Sequence, residues 1–141
     1  MVTVYFVNIV VITAAVLIHY EFLYRVTALL PRLRIRHRLR ILAIVLIALT
    51  AHSAEVWVFG IAFYLMHAAD GWGHLQGNFD GSLMDCIYFS FTSYTTLGTG
   101  DIEPFGDLRY LTGLESLTGL VLITWTASFI YLEMTRYWGS D

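Results

Sequence analysis

Residues 2–20 contain no Asp, Glu, Lys or Arg. Two more stretches share this character. Residues 41–69 carry a single charge, Glu55, and residues 116–132 carry none. A helix rises about 1.5 Å per residue, and the hydrocarbon core of a bilayer is about 30 Å thick. Each stretch, with its flanks, therefore reads as a helix able to cross a membrane. The composition excludes the alternative of a water-soluble domain. It is 57% hydrophobic and 13% charged, about half the charged share usual in soluble proteins. The expected fold class is an all-α membrane protein with three transmembrane helices.

Charge then orients the helices. All eight basic residues are Arg, and six of them lie between Arg25 and Arg40. A basic cluster between two apolar segments marks the cytoplasmic side. Asp70, Asp80, Asp85, Asp101, Glu103 and Asp107 lie in the second half. The expected topology has the N-terminus outside, with the Arg-rich linker and the C-terminus in the cytoplasm of a multi-pass cell (plasma) membrane protein. The first apolar stretch has no basic n-region and no small-residue cleavage pattern, so it is expected to stay as an anchor. Pro31 should end it. Arg32, Arg34, Arg36, Arg38 and Arg40 recur at every second position, which suits a cytoplasmic linker and not the helical spacing of a voltage sensor. Anionic lipid head groups are candidate partners for Arg32 to Arg40, at about 1 kcal/mol per Arg. A single cysteine, Cys86, excludes an intrachain disulfide framework.

The stretch 83–94 is apolar and aromatic but too short to span. It runs directly into Thr95-Thr96-Leu97-Gly98-Thr99-Gly100-Asp101. Glycine reaches positive φ at little steric cost. Alternating such angles with ordinary ones can turn successive carbonyls to one side, where rings of oxygens from several chains could replace the water around a cation. The run resembles the selectivity filter of the potassium-channel superfamily, TVGYG followed by Asp, with Leu97 for Val and Thr99 for Tyr. That filter is a standard case of carbonyl-based ion selectivity. The resemblance covers residues 41–136, and the first helix lies outside the two-helix pattern of that family.

The resemblance implies a division into an extra transmembrane helix (1–30), a basic cytoplasmic linker (31–40) and a pore domain (41–141). Within the last it implies an outer helix (41–67), an outer loop (68–82), a re-entrant pore helix (83–95), a filter (96–100) and an inner helix (108–135). It also implies a homotetramer, with Thr96, Leu97, Gly98, Thr99 and Gly100 as the ion-binding positions. Asp101, Glu103 and Asp107 would make the outer mouth negative and concentrate cations there. Gly119, Ile123, Ala127, Ile130, Tyr131 and Met134 would line or gate the inner cavity. Gly119 could alternatively serve close helix packing. In the family the aromatic at the Thr99 position packs against the pore helices, and Tyr88, Phe89 or Trp72 could fill the space that threonine leaves.

Three intramembrane polar residues stand apart. Glu115 either braces the filter from behind or lines the outer vestibule. His52 and Glu55 share a helix face at i, i+3, about 18 Å along the helix from Arg40. They form a hydrogen-bonded lock, a proton sensor, or part of a metal site that would need His19 or a second chain to complete it.

The function expected is a passive cation channel, most simply one conducting potassium. The alternatives are a channel weakly selective between potassium and sodium, and a non-conducting sensor or metal-binding protein on the same scaffold. No enzymatic constellation and no nucleic-acid-binding patch is present in the sequence. No cofactor is expected and no metal beyond permeating monovalent cations, K+ and in the weakly selective case Na+.

Overall fold

A computed structural model describes residues 2–29, 32 and 36–138. The elements run α1 (Val2–Leu29), α2 (His37–Ala68), β1 (Gly73–Gly77), α3 (Leu83–Tyr94), β2 (Ile102–Gly106) and α4 (Leu108–Trp138). Three stretches are long and apolar enough to cross a membrane: Val2–Leu29, Leu39–Ala68 and Leu108–Arg136. The protein is predominantly helical, as composition and hydropathy require. Pro31, expected to stop the first helix, and Arg34 lie outside the described residues. The basic run is not wholly linker. Helix α2 begins at His37 and not at residue 41, with Arg36 as its extended N-cap. Arginine is a strong helix former, so the apolar helix continues backward into the Arg run, and Arg40 N–H reaches Arg36 O at 3.1 Å.

The expected outer loop (68–82) pairs with the acidic stretch that follows residues 96–100. Strands β1 and β2 form an antiparallel ribbon, with Gly73 opposite Gly106 and Gly77 opposite Ile102. Pro104 hid the second strand from a sequence reading. It is tolerated because both strands of a two-stranded sheet are edges.

Ring contacts and buried clusters fix the helix directions. Tyr5 meets Tyr110 at 5.7 Å and His19 meets Trp125 at 5.1 Å, so α1 and α4 run parallel. Val26 clusters with Ile44, beside Phe129 and Ile130, so α2 runs against both. Helix α2 touches α1, α3, α4 and β1 and is the hub of the molecule. The main core lies toward the ribbon end, around Phe59, Phe63, Phe89, Leu108 and Leu111. Phe63 and Phe89 pack edge to face at 5.0 Å.

Large apolar side chains also cover the outside, including Phe6, Ile9, Leu49, Leu65 and Leu117. That surface suits lipid. In lipid, apolar burial between helices gives no net drive, so association rests on close packing and hydrogen bonds. Both occur around α3. The Ser90 hydroxyl donates to Val56 O on α2, and the Ser116 hydroxyl of α4 donates to Ser93 O, each at 2.9 Å. Gly119 lets α4 approach the backbone of Tyr94 so closely that a Cβ would collide with its carbonyl oxygen.

Gly119→Ala should therefore destabilise the protein by about 1–3 kcal/mol, the usual range for overpacking. Thermal melting in detergent measures this. A melting curve matching the parent would show that α3 and α4 can separate at this point without penalty.

Candidate functional site

Helix α3 begins where its sequence says it should. Ser82 is the N-cap, and its hydroxyl accepts Asp85 N–H at 3.1 Å. The Asp80 carboxylate accepts Ser82 N–H at 2.7 Å. These bonds from Ser82 hold the Asp80 carboxyl below its ordinary range. At its far end the helix tightens. Thr95 N–H bonds Phe91 O, Thr96 N–H bonds Ser93 O, and Gly98 N–H bonds Thr92 O, at 3.0–3.1 Å.

From there the backbone alternates. Thr96, Gly98 and Gly100 have φ of +59°, +55° and +76°, while Leu97 and Thr99 do not have positive φ. The two glycines were the expected carriers of this conformation, and Thr96 is an addition. A β-branched residue at positive φ is an outlier, at a cost of order 1–3 kcal/mol. Residues 95–100 are all exposed in the single chain, and Leu97 is 70% exposed. No atom lies within 4 Å of where a Cβ of Gly98 or Gly100 would stand.

Thr99 is tied back to α3. Its hydroxyl donates to Asp101 Oδ1, and the Tyr88 hydroxyl lies 3.3 Å from Thr99 Oγ1 and 3.0 Å from Asp101 Oδ2. The bond from Thr99 holds the Asp101 carboxyl below its ordinary range against the opposing effect of burial, and the bond from Tyr88 adds to it. Of the three aromatics considered as substitutes for the missing filter aromatic, Tyr88 is the one bonded to Thr99. A cavity of about 350 Å3 remains between residues 96–100 and Thr92, Ser93 and Ser116.

Glu115 is buried behind this region and bonded to the Ser90 hydroxyl. It ties α4 to α3. Gly119 packs on Tyr94, and α4 is continuous through it. Ile123, Ala127 and Ile130 border a cleft of about 440 Å3 with His52 and Tyr94, while Tyr131 is exposed and Met134 half-buried. Glu103 and Asp107 are exposed near Arg109 in sequence, and Arg109 makes no ion pair among the described residues.

His52 and Glu55 meet, at 3.0 Å between Nδ1 and Oε2. They are two members of a larger cluster. His19 of α1 reaches Glu55 Oε1 at 2.9 Å through Nδ1. The Tyr94 hydroxyl donates to Glu55 Oε2 and lies 2.9 Å from His52 Nδ1. Thr126 of α4 stands 3.0 Å from His52 Nε2 and 3.4 Å from His19 Nε2. Helices α1, α2 and α3 thus meet at one carboxylate, and α4 joins them through the two imidazoles.

A family model described as an ion channel, Ion_trans_2, matches residues 51–136. The chain belongs to this ion-channel family. It is also 39% identical over 57 residues to the inward rectifier potassium channel Kirbac3.1 of Paramagnetospirillum magnetotacticum, a match covering 40% of this chain and 19% of that protein. No solved structure matches. The resemblance to the potassium-channel superfamily is borne out, and the protein is a channel-family membrane protein. The channel match takes in α3, residues 96–100 and nearly all of α4. It leaves out α1, and with it His19.

Tyr94 and Ser90 were not foreseen as partners of the buried acids, nor Thr126 as a partner of His19 and His52. Hydroxyls on apolar helices give no periodic signal, and their roles appear once the helices cross. His67 sits in the last turn of α2 and accepts Leu75 N–H at 3.1 Å.

The bonds around Asp101 make a pH prediction. A carboxyl with a depressed pKa keeps its charge, and whatever that charge stabilises, until the pH falls through the lowered value. Thr99→Val removes the largest cause and should move the Asp101 midpoint up toward the ordinary carboxylate range. Tyr88→Phe should move it less. Carbon-detected NMR titration of the Asp101 carboxyl reads both shifts, and an unmoved midpoint in Thr99→Val would refute the assignment.

Proposed function

We propose that four copies of this chain surround an axis and pass potassium through stacked carbonyl oxygens of residues 96–100. The observation that carries this reading is the alternation of positive φ at Thr96, Gly98 and Gly100, on a segment exposed in the single chain. Exposure of so much backbone polar surface makes sense if other copies and ions cover it. Helix α3 delivers its C-terminal, negative dipole end to the same place. In this reading α3 is the re-entrant pore helix, and the hydroxyl of Thr96 adds an inner ring of oxygens. Transport is passive, and no cofactor takes part.

The orientation follows from charge. Arg25, Arg36, Arg40 and Arg136 lie at the end of the bundle opposite the β ribbon, and Asp101, Glu103 and Asp107 lie at the ribbon end. The positive-inside rule puts the ribbon outside and the Arg run on the cytoplasmic side of the cell membrane, with anionic lipid as the proposed partner of that run. Ile123, Ala127 and Ile130 are assigned to the inner cavity, with Tyr131 and Met134 nearest its cytoplasmic mouth.

Weak discrimination between potassium and sodium is the second reading. It is favoured by the cavity of about 350 Å3 left beside Thr99, since an unfilled space lets the loop adapt to the smaller ion.

Gly98→Ala and Gly100→Ala should each abolish potassium flux into liposomes. An L-residue held at this left-handed conformation costs about 1–2 kcal/mol, and a fourfold assembly meets that cost in every copy. Undiminished flux in both variants, or a wild-type protein that is a stable dimer in detergent, refutes the carbonyl-ring mechanism. Thr99→Tyr, if its ring enters the cavity, should shift bi-ionic reversal potentials toward potassium. A wild-type channel that already excludes sodium removes the second reading.

A further inference from the structure

Glu55 is completely buried. Its partners are two imidazoles and a phenol. No guanidinium bonds it among the described residues. A carboxyl withdrawn from water in this way is stabilised by donors, by a proton or by a bound cation.

We propose that His19, His52 and Glu55 form a binding site for a divalent transition metal of the zinc type. Imidazole nitrogens and a carboxylate oxygen are the donor set that such ions take. One ligand atom from each of the three residues lies within 4.8 Å of the others. Zinc bonds of about 2.0–2.2 Å at tetrahedral angles separate neighbouring ligand atoms by about 3.3 Å. The two His–Glu55 separations are 2.9 and 3.0 Å, one to each carboxylate oxygen, and all three ligand atoms lie within 4.8 Å, so side-chain adjustment without movement of the helices is what seating the ion asks for. The Tyr94 hydroxyl, bonded to Glu55 and 2.9 Å from His52, faces the fourth position.

The count of donors and acceptors supports the same assignment. With both rings neutral and each Nδ1–H donating to Glu55, both Nε2 atoms are acceptors facing Thr126 Oγ1. That hydroxyl has one proton and serves one of them, so the other Nε2 is left without a donor in this cluster. When a metal takes both Nδ1 atoms, each ring carries its proton on Nε2 instead. Both N–H groups then donate to the two lone pairs of Thr126. A fixed acceptor behind each ring is the arrangement that orients metal-binding histidines. No net proton is released, because each proton only changes nitrogen. Trp125 packs against His19 at 5.1 Å and closes one side. The cleft of about 440 Å3 bordered by His52, Tyr94 and Thr126 is the route of entry.

An extra proton on one histidine would also satisfy Thr126, so the test must separate metal from proton. The full chain, purified in detergent and stripped with chelator, is titrated with Co2+. The expected result is one Co2+ per chain, with the visible absorption of a four-coordinate site and displacement by Zn2+. His19→Ala and His52→Ala should lose this spectrum. Thr126→Val keeps all three ligands and should bind about 10–100-fold more weakly. Circular dichroism and gel filtration check folding, and Thr126→Val carries the test should the histidine variants not fold. A folded wild-type protein that retains no Co2+ overturns the proposal in favour of the proton. Equal retention in folded His19→Ala and His52→Ala overturns it in favour of binding elsewhere, and Thr126→Val binding as tightly as wild type overturns the geometry. None of these readouts depends on ion conduction.

Discussion

A carboxylate with no water around it has to be surrounded by donors, and Glu55 draws one from each of three directions. His19 reaches it from α1, His52 from its own helix and Tyr94 from α3, while Thr126 joins the two rings to α4. Truncating any of these would strand a buried polar group, at about 1–3 kcal/mol. Interhelical hydrogen bonds in membranes average less than that one by one. A shared acceptor makes them act together. The mutual placement of four helices therefore depends on one side chain at the middle of α2.

Tyr94 carries this constraint toward the exposed backbone run. Its hydroxyl is held at Glu55 and its carbonyl is held against Gly119 of α4. Two residues later the chain enters the left-handed conformation at Thr96. A sparsely populated backbone angle persists when its surroundings over-determine it. Here a helix end fastened at both side chain and backbone supplies that support from below, and Tyr88 supplies it from the side through Thr99 and Asp101. The region where strain is stored is the region where the structure is most heavily braced.

The long helices and the channel-family resemblance were legible because hydropathy and the Thr95–Asp101 run are local signals. The intramembrane His19, His52, Glu55 and Glu115 were visible too, since a polar side chain in an apolar helix demands a reason. Their partners were not, because Ser90, Tyr94 and Thr126 are ordinary residues whose importance comes from where helices cross. The β ribbon was hidden for a different reason. Its strands are bounded by glycine and interrupted by Pro104, features that a local reading assigns to loop. The start of α2 at His37 shows a third kind of gap, in which charge pattern and helix propensity point different ways and the helix prevails.

The ribbon also alters how the stretch between its strands should be regarded. Gly77 pairs with Ile102, and Asn78 N–H bonds Asp101 O at 2.8 Å. The chain from Asn78 to Asp101, including α3 and the backbone run after it, is thus a loop fastened at its neck. Closing the neck meets the loop-closure part of the entropy that the segment loses on ordering. Such a loop is pinned twice. Its neck is closed by the ribbon, and its far side is bonded to α2 and α4 through Ser90 and Tyr94, so residues 96–100, exposed in the single chain, are the part that can diverge while the helices keep their packing.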